Sequence, residues 1–273
     1  MSQSMVSERV SQRAFIGVSA LLFAASAAVT IVWCASMSAM GEMPMPGGWT
    51  MSMAWMGMCG QTWLGTAASF IGMWVVMMVA MMLPSLTPML WRYRRAVGKT
   101  GETGLDRLTA LVGAGYFFVW AVFGMAAFAL GSVLATLEMQ VPALARAVPI
   151  ASGVVVVVAG VLQFTAWKAR HLACCRGTPG RGLKLQVLKA LTADACTAWR
   201  HGLRLGLHCS TCCAGLSAIL LVMGVMDLRV MAAVTAAITV ERLAPAGECV
   251  ARAIGAVVVV AGLVLIVRAM GLG

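Results

Sequence analysis

The chain has 273 residues, of which 61% are apolar and only 11% charged, and its mean hydropathy is +0.92. A chain of this composition cannot present an ordinary hydrated surface, which excludes a soluble globular protein. We therefore predict an all-α, polytopic transmembrane helical bundle of about six to seven spans. We expect residues 1–273 to form a single integral membrane domain whose first partner is the lipid bilayer.

The formal net charge of +11 raises the question of a nucleic-acid partner. No basic patch with interleaved aromatic residues accompanies that charge, so we expect no binding to nucleic acid. The basic residues instead alternate with the apolar segments. If the N-terminus is cytoplasmic, seventeen of the twenty Lys and Arg residues face the cytoplasm, and only Arg146, Arg229 and Arg268 lie outside. This positive-inside bias predicts an N-terminus in and a C-terminus out.

The apolar segments predict the spans directly, at about 20 residues for each crossing. The first segment is longer than the apolar region of a signal peptide, so we interpret it as an anchor. The sixth is short for a crossing, and the number of spans therefore stays at six or seven. In chain order the predicted spans are 14–36, 64–90, 108–136, 149–167, 203–226, 229–243 and 251–270.

A Met-rich loop follows the first predicted span, at residues 37–62. Eight methionines lie between Met37 and Met58, where the only charged residue is Glu42. Thioethers bind Cu(I) but hardly bind Zn(II), and they survive in an oxidising compartment. The loop is therefore a candidate extracytoplasmic copper-collecting segment; alternatively, methionine only fills apolar surface there. The candidate ligands are Met43, Met45, Met51 and Met53.

A methionine ladder occupies the second predicted span. Met73, Met77 and Met81 recur every four residues, which places them on one helical face. Such a ladder provides successive weak Cu(I) sites beneath the Met-rich loop. The same pattern is also typical of an ordinary lipid-facing or packing stripe.

Cysteine and histidine are concentrated between residues 171 and 213, in and after a basic loop predicted at 168–204 to be cytoplasmic. Nine cysteines cannot all pair with one another, and cytoplasmic thiols normally stay reduced. Residues three and four apart share a helical face, so two groups are candidate soft-metal sites. The first group is His208, Cys209, Cys212 and Cys213, and the second is His171, Cys174 and Cys175. His171 belongs to the second group if the fourth span extends that far; alternatively, it is a solvated loop histidine. Cu(I) is the expected metal, with zinc as the alternative.

Several other polar residues and two glycines are expected to have structural roles. Asp227 and Arg229 are expected to cap the outer turn before the sixth span. Glu241 and Arg242 are expected to pair with each other near water at the inner face. Gly202 and Gly206 form a G-x-x-x-G pattern that permits a close neighbouring helix.

Several segments together resemble a known bacterial family. They are WVVMMVAMMLPSLTP at 74–88, YFFVWAVFG at 116–124, the paired cysteines within 163–176, W-R-H-G-x-x-x-G-x-H-C-x-x-C-C at 199–213, VMGVMD at 222–227 and ERLAP at 241–245. The family is that of predicted metal-binding integral membrane proteins, catalogued as a domain of unknown function. The resemblance implies a helical membrane fold in the bacterial inner membrane and metal binding at the cysteine motifs. It supplies no reaction.

The sequence favours an integral membrane protein that binds a thiophilic metal, Cu(I) first, for transport or for delivery to a copper-dependent membrane enzyme or a metallochaperone. Three alternatives remain. The first is a copper-binding or accessory subunit of a membrane oxidoreductase, the second a membrane thiol-disulfide electron carrier that uses Cys209 and Cys212, and the third a structural assembly protein. No nucleophile-base arrangement or paired-carboxylate site is present in the sequence, so enzymatic activity of the chain on its own is not expected.

Overall fold

The computed structural model describes residues 2–39, 43–46, 48–51, 55, 62–98, 104–176 and 194–271. Within this part the chain forms eight helices and one short hairpin. The helices are α1 (Ser2–Ala39), α2 (Trp63–Gly98), α3 (Leu105–Gln140), α4 (Pro142–Leu162), α5 (Ala166–Arg176), α6 (Ala195–Met223), α7 (Leu228–Leu243) and α8 (Gly247–Ala269). The hairpin pairs β1 (Met43–Met45) with β2 (Trp49–Met51) in antiparallel register.

Six of these helices are long and apolar enough to cross a bilayer: α1, α2, α3, α4, α6 and α8. The all-α polytopic bundle expected from composition is thus confirmed. Helix α7 has 16 residues, and at about 1.5 Å per residue it is roughly 24 Å long. It is shorter than a hydrocarbon core of about 30 Å, so the predicted sixth span is not one of the six helices long enough to cross a bilayer.

Two predicted boundaries shift. The fourth span ends at Leu162 rather than at residue 167, and the chain then turns into α5. The predicted loop at 168–204 therefore begins with helix α5 and ends with the first turns of α6, while its centre lies outside the described residues. At the start of α7, Asp227 caps the helix as expected, accepting hydrogen bonds from the backbone N–H groups of Arg229 and Val230.

The two closest helix pairs meet through glycine. A side chain at Gly202 on α6 would place its Cβ atom 2.3 Å from the carbonyl oxygen of Val112 on α3, so only glycine allows this approach. The order of the contacts, Val112 with Gly202 and then Tyr116 with Gly206, shows that α3 and α6 run parallel. Helices α4 and α8 pack antiparallel, with Gly153 against Gly262 and Gly160 against Gly255.

The methionines of α2 lie in the core of the bundle. Met73, Met77 and Met81 are all buried, as are Met78 and Met82 on the adjacent face, which excludes a lipid-facing stripe. At the upstream end of α2, Trp55 packs on Phe70 with ring centroids 5.2 Å apart. Trp55 also packs against Met45 and Met51 of the hairpin, both of which are buried. The hairpin therefore lies over the start of the ladder.

Candidate metal centre

Four buried cysteines lie together where α5, α6 and α7 meet. Cys209, Cys212 and Cys213 occupy the buried face of α6, and Cys175 on α5 faces them. Cys212 contacts the thiols of both Cys175 and Cys213, and Cys209 contacts Cys213. All four are free thiols. We refer to these four residues as the thiol cluster.

The guanidinium of Arg242 lies among these sulfur atoms. Its Nη2 atom donates to the Sγ atoms of Cys209 at 2.8 Å, Cys213 at 3.3 Å and Cys175 at 3.8 Å. Its Nη1 atom donates to the Ser85 hydroxyl at 3.1 Å, which ties α7 to α2. Arg242 is 7% exposed, so a full positive charge is held inside the bundle beside the thiols.

A second buried charge pair supports the thiol cluster. Lys168 Nζ donates to a Glu241 carboxylate oxygen at 2.7 Å and to the Cys212 carbonyl oxygen at 2.9 Å. The other Glu241 oxygen accepts from the Gln163 amide at 3.0 Å. Burial lowers the pKa of Lys168, but the neighbouring Cys212 and Glu241 outweigh it and hold that pKa above its usual value. Lysine and glutamate therefore neutralise each other.

The expected pairing of Glu241 with Arg242 near water is wrong. Both residues are buried, and they have separate partners. Adjacent residues on a helix point in directions about 100° apart, so they do not face each other. Helix α5 folds back over the end of α7 and supplies Lys168, which no sequence signal indicated as a buried residue.

Tyr116 also contacts the thiol cluster. Its hydroxyl lies 2.8 Å from the Sγ atom of Cys209, and its side chain is fully buried on α3. The parallel packing of α3 on α6 through Gly202 and Gly206 brings this hydroxyl to the sulfur. Tyr116 and Arg242 contact the thiols directly, and the polar residues linked to the cluster through hydrogen bonds are Lys168, Glu241, Gln163 and Ser85. The sequence did not assign any of these residues to the site.

The structure regroups the histidines predicted as ligands. His208 is exposed and lies beside His171, with ring centroids 6.1 Å apart. On α6, His208 lies about 40° from Cys212 but about 140° from Cys213, so it is at the edge of the buried arc. Burial, His208 and Arg170 lower the pKa of His171. His201 stacks on Tyr93 instead, with centroids 5.4 Å apart.

Two predicted ligands cannot be placed: Met53 and the side chain of Cys174 lie outside the described residues. Within the described part, no three His, Cys, Asp or Glu side chains are already spaced around a common point as in a bound metal site. The thiols approach the Arg242 guanidinium instead. A metal ion would therefore require the sulfur atoms to move towards one another.

A sizeable open cavity, of about 920 Å³, lies near the other end of α6. It is lined by Cys34, Met223 and Met226 together with hairpin residues. Cys34 Sγ lies 3.9 Å from Met226 Sδ there. This cavity adjoins the hairpin and is separate from the thiol cluster.

The fold and the site together define a polytopic helical membrane protein with a buried cysteine cluster. Comparison with family models then identifies which one: the chain belongs to the copper chaperone family PpoB2, whose model matches residues 71–265. The match includes the methionine ladder, the thiol cluster and Arg242, and it begins after the Met-rich hairpin. The expectation of a family without an assigned function is corrected, because the family is described as a copper chaperone. No curated protein and no solved structure matches the chain.

Proposed function

We propose that this protein is a membrane-embedded chaperone that binds Cu(I) as cargo at the thiol cluster and delivers it to a partner. The observation that carries the proposal is a cluster of four buried free thiols, three of which accept hydrogen bonds from one guanidinium. Thiolate sulfur is the protein ligand that selects Cu(I). The family description supports copper as the cargo.

The charges around the thiol cluster suit a two-thiolate Cu(I) complex better than a four-thiolate Zn(II) complex. Lys168 and Glu241 cancel, which leaves the single positive charge of Arg242. One Cu(I) ion with two thiolates carries a charge of −1, which Arg242 neutralises. Zn(II) with four thiolates carries −2 and leaves one negative charge uncompensated. Uncompensated buried charge is costly, so a two-thiolate Cu(I) complex fits this environment best.

The proposed route to the thiol cluster follows α2. Copper is collected outside at the methionines of the hairpin and passes along Met73, Met77 and Met81. Successive ladder residues are about 6 Å apart along the helix axis. Ser85 follows Met81 by one further turn of α2, and its hydroxyl oxygen accepts the 3.1 Å hydrogen bond from Arg242. The ladder thus ends beside the thiols.

The orientation and the recipient belong to the same proposal. The protein lies in the bacterial inner membrane with its N-terminus in the cytoplasm, so the hairpin faces outwards and α5 faces inwards. The recipient is a copper-dependent membrane enzyme or a soluble metallochaperone. An accessory subunit of an oxidoreductase would use the same copper site, but it would co-purify stably with larger subunits.

Copper binding by the purified protein tests the proposal. The protein in detergent is titrated with Cu(I) under reducing conditions against a competing chelator. We expect one tight equivalent in the natural protein and its loss in the Cys209→Ser/Cys212→Ser/Cys213→Ser variant. The matched control is Cys196→Ser/Cys249→Ser, which removes two exposed thiols outside the cluster and should leave copper unchanged.

A copper-loading assay in vesicles separates the ladder from the thiol cluster. Met73→Leu/Met77→Leu/Met81→Leu should slow loading from the hairpin side in vesicles but keep the final copper content. Zinc alone in the purified protein, or unchanged copper in the triple serine variant, would refute the copper assignment. A reversible Cys209–Cys212 disulfide that forms without copper would favour the thiol-disulfide carrier instead.

A further inference from the structure

We infer that His171 and His208 form a second, exposed copper site at which the cargo of the thiol cluster is exchanged with the partner. This inference rests on the proposed function. The two histidines come from different helices, α5 and α6, and the structure places their ring centroids 6.1 Å apart. In a metal-bound histidine, the nitrogen lies about 1 Å from the ring centre and about 2.0–2.1 Å from the metal. Each ring centre is therefore about 3 Å from the ion, and two rings on opposite sides of one ion lie about 6 Å apart. The observed spacing therefore suits a shared ion.

Thr211 contacts the ring of His171, with its hydroxyl 3.2 Å from Nδ1. The same hydroxyl lies 2.9 Å from the Leu207 carbonyl oxygen and 3.0 Å from that of His208. In the proposed site its one proton goes to a carbonyl oxygen, so the hydroxyl accepts from Nδ1–H and Nε2 presents a lone pair to the metal. Metal-bound histidines characteristically have their second nitrogen fixed in this way.

The ring of His171 is also held from its other side. Trp167, one turn earlier on α5, packs on it with ring centroids 4.6 Å apart. His208 is exposed, so solvent or a partner can reach an ion bound between the two rings. Two imidazoles leave coordination positions of the ion open, and open positions allow a ligand from another protein to bind before these two release.

The histidine pair adjoins the thiol cluster through the backbone of α6. Cys175 Sγ donates to the His208 carbonyl oxygen at 3.4 Å, while the same cysteine contacts Cys212. Cys175 therefore lies between the buried thiols and the surface pair. Imidazole is a less soft ligand than thiolate and binds Cu(I) less tightly. The histidine pair should therefore be the weaker of the two sites, as expected for a site that exchanges copper with a partner.

The test uses Cu(I) as the probe, with the competing chelator and reducing conditions described above. In the Cys209→Ser/Cys212→Ser/Cys213→Ser background we expect one weaker equivalent that X-ray absorption assigns to nitrogen ligands. His171→Gln or His208→Gln should abolish it. His201→Gln is the matched control, since it removes the third histidine of the chain, which stacks on Tyr93 away from the pair.

Thr211 provides the sharper variant, because it should act without touching the metal. Thr211→Val keeps the side-chain shape but cannot accept from Nδ1, and loss of such a support typically weakens metal binding by about 10–100-fold. Thr211→Ser should restore the affinity. Size-exclusion elution and thermal unfolding of each variant verify that it is folded.

Failure of this inference and failure of the proposed function give different results. Absence of any copper in the triple serine variant, or a weak equivalent that survives His171→Gln, would overturn the histidine site while leaving the thiol cluster intact. If the triple serine background does not fold, copper is counted in the natural cysteine background. Two equivalents falling to one in His208→Gln then support the pair, and an unchanged count overturns it.

Discussion

Arg242 is the residue on which the charge balance of the thiol cluster depends. It contacts three of the four sulfur atoms and is the one buried cation there without a carboxylate partner among the described residues. Its guanidinium donates hydrogen bonds to these thiols. If Cu(I) binds as proposed, the same guanidinium can donate hydrogen bonds to the copper-bound thiolates.

Arg242→Gln should weaken Cu(I) binding. Hydrogen bonds to charged groups contribute about 1.5–3 kcal/mol, so we expect a loss of roughly 10–100-fold in affinity in the competition titration. Arg242→Lys, which keeps the charge, should retain most of the affinity. Equal affinity of the glutamine variant and the natural protein, with both folded, would show that Arg242 only fills space.

At the scale of elements, helix α5 covers the thiol cluster. It is an 11-residue helix, too short and too polar to span a membrane, and it is held to the bundle by Lys168 at one end and Cys175 at the other. The salt bridge of Lys168 with Glu241 is buried on both sides, with 4% and 2% of the side chains exposed. Removing one partner therefore leaves the other charge buried and unpaired.

Lys168→Met should destabilise the fold by about 3–5 kcal/mol, the usual cost of an unpaired buried charge. The Lys168→Met/Glu241→Gln double variant should regain most of this loss, because no charge is left and the amide at 241 can still accept from Gln163. Chemical unfolding in detergent measures both. Arg170→Met, which removes an exposed cation from the same helix, is the control and should change little; a double variant no better than the single one would contradict the pairing argument.

At the scale of the whole molecule, relative helix directions agree with alternating crossings. Helices α3 and α6 run parallel, whereas α4 and α8 run antiparallel to each other. These directions are expected if each long helix crosses in the direction opposite to the one before it and α7 returns the chain between α6 and α8. The hairpin docks at the start of α4, where Trp49 Nε1 donates to the Ala145 carbonyl oxygen at 2.8 Å. The hairpin and the beginnings of α6 and α8 therefore lie at opposite ends of the bundle.

Thiol labelling of intact cells tests which end faces out. Cys196 and Cys249 are exposed near the starts of α6 and α8, so a membrane-impermeant reagent should miss them. It should also miss Cys174 and Cys175. Thr50→Cys, at an exposed position in the hairpin, should be labelled. The reverse pattern would place α5 and the histidine pair outside and would invert the proposed direction of copper movement.

The sequence alone determined the class of fold and placed three of the clustered cysteines on one helical face. Apolar segments of about 20 residues define spans without reference to any partner, because a bilayer requires every backbone group to be bonded within the helix. The helical spacing of Cys209, Cys212 and Cys213 likewise predicts a common face, since that face is a local property of one helix.

Tertiary structure alone decided which residues surround that face. Arg242, Tyr116 and Lys168 lie on three other helices, and nothing in their local sequence indicates which cysteines they contact. The pairing of His171 with His208 depends on the angle at which α5 folds back after Leu162. That angle cannot be read from the sequence, which is why each histidine was grouped with its neighbouring cysteines instead. Contacts between distant segments are set by how glycine surfaces and buried charges of whole helices fit together, and that information is distributed over the chain rather than contained in any motif.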